Sequence, residues 1–112
     1  MRFEWDEQKN RQNLRKHDVR FETAVLVFND PYAITQRDYS FEDEERCITV
    51  GAIGAGSVLL VVHTFYERYD EEVIRIVSAR AADSHERRAY EEAHKRAEAR
   101  HPRNRRKKRR RH

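Results

Sequence analysis

Three segments rich in β-branched residues, joined by short links, constrain this chain more than any other feature. They are Arg46 to Ala52, Val58 to Phe65 and Val73 to Ala79. The glycine-containing GAIGAGS joins the first two, and the acidic turn YDEE precedes the third. A parallel pairing would need a crossover of a dozen or more residues, so links this short favour an antiparallel meander. Tyr32 to Arg37 reads as an added edge strand and Ser40 to Glu44 as an acidic turn, giving a sheet of about four strands.

The flanks have a helical period. Phe3 and Trp5 lie two apart in a short extended piece, and Asp6 is placed to cap a helix through about His17. That helix, DEQKNRQNLRKH, has Leu14 as its one strong apolar residue, so it is expected at the surface or against a ligand or partner. Asp18 stands where the chain needs a left-handed residue. Phe21, Ala24, Val25 and Phe28 fall at i, i+3, i+4 and i+7, the stripe of a second helix that Asn29-Asp30-Pro31 stops. Asp83 with Glu86 resembles a capping box opening a last helix through about Glu98, with Ala89, Ala93 and Ala97 on one stripe. The expected fold is α+β: two N-terminal helices, an antiparallel sheet and a C-terminal helix packed against it.

Charge divides the chain. Residues 103–112, RNRRKKRRRH, hold eight of the 24 Lys and Arg, leaving 16 basic against 20 acidic residues before them. A mildly acidic domain, 1–100, is therefore expected to precede a basic, disordered tail, 101–112. The tail's attraction to phosphates would be salt-sensitive and blind to sequence. Cys47 is the only cysteine, so an intrachain disulfide is excluded. The longest apolar run, Val58 to Val62, is too short to cross a bilayer, and the N-terminus has no signal-peptide stretch. A reducing cytoplasm is the expected compartment.

Phosphate-loop, dinucleotide and HExxH motifs are missing, the six histidines do not fall at metal spacing, and no cofactor is expected. What remains is a set of cations and one imidazole in or beside the strands. Arg75 projects opposite to Ile74 and Ile76, onto the exposed side if those isoleucines face the core. His63 ends an apolar run, Glu45 and Arg46 open a strand, Arg68 lies in a turn and Arg80 closes the last strand. Cleavage of RNA through its own 2′-hydroxyl needs a proton acceptor, charge stabilisation on the phosphoryl oxygens and a proton for the leaving oxygen. Arginine fits the second task and histidine the proton transfers. Glu45 or Glu67 could share the base role. Lys9, Arg11, Arg15 and Lys16 on the first helix could flank an RNA path or meet an acidic partner segment. Each residue also has an ordinary reading: a core or surface histidine, arginines paired with Glu42 to Glu45 or Glu71-Glu72, a solvated helix face.

In order and spacing, the chain resembles the BrnT family of toxins. The resemblance rests on F-E-W-D at 3–6, N-L-R-K-H at 13–17, F-E-T-A at 21–24 and V-F-N-D-P at 27–31. It continues through E-R at 45–46, Gly51, V-V-H-T at 61–64, I-R-I-V-S-A-R at 74–80 and E-R-R-A-Y-E at 86–91. The resemblance implies a RelE-like ribonuclease fold, metal-independent RNA cleavage that halts translation, and a toxin dimer neutralised by a BrnA antitoxin. Operator DNA would be bound through the antitoxin. It also implies that Glu45, Arg46, His63, Arg75 and Arg80 occupy the family's polar positions. Three positions depart from the pattern: Tyr66 replaces an arginine, Ala81 a basic residue and Asp18 a glycine. Arg68 could substitute for the missing arginine, or Tyr66 could stack on a base. Two other readings stay open, a non-catalytic module that binds an antitoxin and a general RNA-binding protein using the arginine tail.

Overall fold

The computed structural model describes residues 1–39, 45–54 and 56–99. Strand β1 (Arg2–Glu4) leads into helix α1 (Glu7–His17), a single-turn helix α2 (Phe21–Ala24) and a 3₁₀ turn (Val25–Asn29). Strands β2 (Ile34–Asp38), β3 (Arg46–Gly54), β4 (Ser57–Arg68) and β5 (Glu71–Ala81) follow, then helix α3 (Ser84–Ala99). The sheet order is β1-β5-β4-β3-β2, antiparallel throughout β2 to β5.

Two expectations are corrected. The sheet has five strands and is mixed, because Arg2–Glu4 pairs parallel with Val73–Arg75. Three residues suffice there because the side chains on either side of Glu4 are anchored in the core, Phe3 on Phe28 and Trp5 on Phe21. The second helix is not continuous over 21–28. It tightens after one turn into the 3₁₀ segment, which sits so close to β3 that a Cβ at Gly51 would lie 3.1 Å from that of Val27. The expected acidic turn at 40–44 and the basic tail lie outside the described residues.

The core lies between one face of the sheet and the α1–α2–3₁₀ layer. It comprises Val19, Phe21, Ala24 and Val27 against Leu59, Val61, Ile74, Ile76 and Ala79. Helix α1 begins as its sequence predicts, with Asp6 Oδ1 accepting from the Gln8 and Lys9 N–H groups at 2.8 and 3.3 Å. It ends at Asp18 in the left-handed region, φ 58°. The helix is held by polar groups in place of an apolar stripe. Asn10 and Asn13 are its buried residues. Asn13 Nδ2 donates to the Val19 and Ala79 carbonyls at 2.9 and 2.8 Å, and its Oδ1 accepts from the Ala79 N–H at 3.1 Å.

Helix α3 covers part of the opposite face. The capping box forms as expected: Glu86 N–H donates to Asp83 Oδ1 at 2.8 Å, and Asp83 N–H donates to Glu86 at 2.9 Å. Tyr90 donates to Asp30, which also accepts from the Ala52 and Tyr32 N–H groups. Burial and the Asp30 carboxylate push the Tyr90 phenol up to about 12. Asp30 itself pays for desolvation, yet those three donors hold its carboxyl below the usual range.

Candidate active site

The surface that α3 leaves open carries a row of polar side chains running across all five strands. In register, Asp38 of β2 lies beside Arg46 of β3, Arg46 beside Thr64 of β4, Thr64 beside Arg75 of β5, and Arg75 beside Glu4 of β1. Register partners share a face, so these five side chains stand on one side, with Arg46 and Arg75 about 10 Å apart at their backbones. Arg75 reaches Glu4 at 3.7 Å, with Arg75 44% and Glu4 30% exposed. Tyr66, two residues beyond Thr64 and on the same face, donates its hydroxyl to Glu4. That hydrogen bond is the main reason its phenol titrates above the ordinary range. The Arg68 guanidinium lies 5.3 Å from the centre of the Tyr66 ring.

A bulge in β5 sets which cations share this face. Residues 75 and 80 are an odd number apart and would point opposite ways in a regular strand. The ladder shifts register between Val62 and His63, however, so Arg75 pairs with Thr64 and Arg80 with Leu60. Both β4 partners are even-numbered residues of one strand, and both arginines therefore face the α3 side. Arg80 is committed there, with NH1 and NH2 donating to the two Glu86 oxygens at 2.8 and 2.9 Å. This bidentate pair raises the Arg80 pKa and lowers that of Glu86. Its clearest consequence is to fasten the start of α3 to the sheet.

His63 stands on the other face. It is 4% exposed, packed edge-on against Phe28 at 5.0 Å between ring centres. Its Nε2 lies 2.8 Å from Thr49 Oγ1, which lies 2.7 Å from Thr35 Oγ1. Burial lowers its pKa to about 4, so the ring is neutral near pH 7. Among the described residues the Nδ1 atom has no hydrogen-bond partner, and it is buried. A bare acceptor lone pair beside an aromatic edge costs less than a buried N–H without an acceptor, which assigns the proton to Nε2 and makes Thr49 its acceptor.

The remaining sequence candidates are dispersed. Glu45 precedes β3, exposed, 3.9 Å from Arg37, whose register partner is Cys47 on the His63 face. Glu67 follows Tyr66 and points to the opposite face. Lys9 and Lys16 are exposed on α1, which packs on the core face, so neither adjoins the row. The structure thus brings Arg46, Tyr66, Arg68 and Arg75 together, places Arg80 on the same face in a fixed ion pair, and separates His63, Glu45, Lys9 and Lys16 from them. Glu4 was not singled out from sequence. The alternation around it was its signal, since Phe3 and Trp5 pointing inward turn Glu4 outward.

A cleft of about 550 Å³ lies elsewhere, between the end of α1 and the start of β4, lined in part by Leu14, Arg20, Ser57 and Arg87. It contains no member of the row. An open strip of sheet suits an extended polymer better than a closed pocket does, so the row is the stronger site on its chemistry. Among the described residues no group of three or more His, Cys, Asp or Glu is placed to hold a metal ion, and no helix is long and apolar enough to cross a membrane.

Comparison with known proteins agrees with this architecture. A family model described as "Ribonuclease toxin, BrnT, of type II toxin-antitoxin system" matches residues 5–86. No curated protein matches the chain. Among solved structures, the chain is similar to the Brucella abortus ribonuclease toxin BrnT, with a TM-score of 0.57 and 20% identity over 75% of this chain and 99% of that one. At that identity the likeness establishes the shared α+β fold.

Proposed function

The chain belongs to the BrnT family of ribonuclease toxins of type II toxin–antitoxin systems, and from that membership we propose that it cuts RNA, without a metal, on the open strip of sheet around Arg75. The observation that carries this reading is the row Arg46–Thr64–Arg75–Glu4 with Tyr66 beside it. It supplies cations, a carboxylate and a proton donor on one exposed face.

In this reading Arg75 and Arg46 hold the phosphoryl oxygens, where guanidinium groups match the developing charge. Glu4 removes the 2′-hydroxyl proton, the 2′ oxygen bonds to phosphorus and the P–O5′ bond breaks, leaving a 2′,3′-cyclic phosphate. Tyr66 gives its phenolic proton to the departing 5′ oxygen and regains one from protonated Glu4. The same hydrogen bond that raises the Tyr66 pKa keeps that proton in place beforehand. His63 acts as a neutral scaffold residue and takes no part in the reaction.

A type II toxin implies an antitoxin partner. A BrnA-like antitoxin, a toxin dimer within the complex, contact with operator DNA only through the antitoxin, a cytoplasmic setting, the RelE-like comparison and arrest of translation complete the proposal. The test uses purified full-length protein freed of antitoxin. It should cleave RNA in EDTA, and Arg75→Ala should slow cleavage about a hundredfold without unfolding the domain. Equal cleavage by both proteins would remove the row from the mechanism, and loss of cleavage in EDTA would remove metal independence. A non-catalytic antitoxin-binding module is the second reading, favoured by the Arg80–Glu86 pair and the buried His63. Antitoxin binding with no cleavage under any of these conditions would establish it.

A further inference from the structure

The β4–β5 hairpin outruns its neighbour. Strand β3 pairs with β4 only as far as Arg46 and Thr64, whereas β4 and β5 stay paired out to Arg68 and Glu71. The turn between them is the two residues Tyr69 and Asp70, both at positive φ, 53° and 63°. Such turns ordinarily use Asn-Gly or Asp-Gly, since a bulky side chain at positive φ is a conformational outlier. Tyr69 occupies that position while 95% exposed, so burial does not offset the strain. Strain of this kind concentrates at functional sites. Immediately before Tyr69, Arg68 lies over the Tyr66 ring, and Tyr66 touches Glu4 in the row.

We propose that Tyr69 is a base-stacking residue that holds a nucleobase of the RNA flanking the phosphate bound at Arg75. The inference rests on the ribonuclease reading above and adds a substrate-binding residue to it. The charge at the tip narrows the ligand group. Glu67, Asp70, Glu71 and Glu72 outnumber Arg68 around Tyr69 in sequence, and Glu71 already faces Arg2 at 3.9 Å, so the tip itself is a poor phosphate site. A flat, uncharged base is not repelled there, and it stacks on an aromatic face whatever its sequence. The strand would therefore lay its backbone on Arg46 and Arg75 and set a base further along its length against the hairpin tip, roughly 15 Å along the hairpin from Thr64.

Binding of the full chain to a short single-stranded RNA with 2′-O-methyl riboses and one fluorescent base analogue tests this, since that probe cannot be cleaved through its 2′ positions. Tyr69→Asn should weaken binding about tenfold while leaving the thermal midpoint unchanged or higher, because asparagine suits the turn. Its affinity should fall with salt as steeply as the wild type's, whereas Arg75→Ala should flatten that dependence. Tyr69→Phe should bind as wild type does. Wild-type affinity in Tyr69→Asn alongside weakened Arg75→Ala overturns the stacking role and leaves the ribonuclease reading standing. A loss of affinity accompanied by a lower midpoint also overturns it, since the role would then be structural. Undiminished binding and cleavage by Arg75→Ala would instead remove the reading on which the inference rests.

Discussion

His63 and Arg75 are one register step apart on adjacent strands and point to opposite faces of the sheet. Thr64 pairs with Arg75, while His63 pairs with Ile76 and faces the core. An imidazole enclosed by Phe28 and Thr49 cannot exchange protons with a substrate lying across Arg75. His63→Gln should accordingly retain most of the cleavage activity. Its effect should appear in stability against pH. The folded-state pKa of about 4 is below the ordinary 6.5, so the unfolded chain binds the proton more readily between those values. Stability is full above pH 6.5 and falls as the pH drops toward 4, by an amount on the order of 3 kcal/mol. Urea titrations across that window should show a slope that His63→Gln reduces, and an unchanged slope would contradict the burial of a neutral ring.

Glu4 is the residue on which the proposed proton transfers depend. Glu4→Gln keeps the shape and a hydrogen-bonding partner for Tyr66 but removes the base, so kcat should fall roughly a hundredfold or more. Tyr66→Phe removes only the proton carrier and should cost less, with water supplying the leaving-group proton. Single-turnover rates on one RNA would rank the two variants. A Tyr66→Phe defect larger than that of Glu4→Gln would reverse the assignment of base and carrier.

Arg80 and Glu86 should matter more to α3 than to chemistry. Arg80 is 39% exposed, so solvent screening keeps the pair's worth to about 1 kcal/mol in spite of its bidentate geometry. Arg80→Ala should lower stability by about that much and slow cleavage far less than Arg75→Ala does. The Glu86 carboxyl titrates below its ordinary range, chiefly through Arg80. Its contribution is present above the unfolded-state carboxylate pKa and disappears as the pH falls through the folded value. Amide protection at the start of α3, taken relative to the intrinsic exchange rate at each pH, should therefore fall in acid for the wild type and already be low in Arg80→Ala at neutral pH.

Much of the fold was legible because strand periodicity and caps are local signals. The β-branched runs around Val50, Val61 and Ile76 became β3, β4 and β5, and Asp6 and Asp83 cap where expected. Pairing between distant segments left no such mark. Nothing local says that Arg2–Glu4 will lie against β5, and the bulge that turns Arg80 to the same face as Arg75 has no glycine to announce it. The face of His63 stayed open for a related reason. A histidine after five apolar residues continues the alternation of Leu59 and Val61 into the core, and only its register with Cys47 and Ile76 fixes the face.

Asn13 is the other residue whose importance the pattern concealed, and it gives the sharpest stability test. Strand β1 covers the outer edge of β5 only along Val73–Arg75, which among the described residues leaves Ala79 without a neighbouring strand on that side. The Asn13 amide fills the gap, accepting from the Ala79 N–H and donating to its carbonyl as a strand residue would, while also donating to Val19. Both groups are buried, so removing the amide leaves a backbone donor and acceptor unsatisfied. Asn13→Ala should cost about 3 kcal/mol, read as a lower urea midpoint at constant m value. Asn13→Asp keeps the acceptor for Ala79 N–H but sets a carboxylate against two carbonyls, and should be at least as damaging. A loss below about 1 kcal/mol in Asn13→Ala would mean that water replaces the amide, and that α1 is held to the sheet by its apolar neighbours alone.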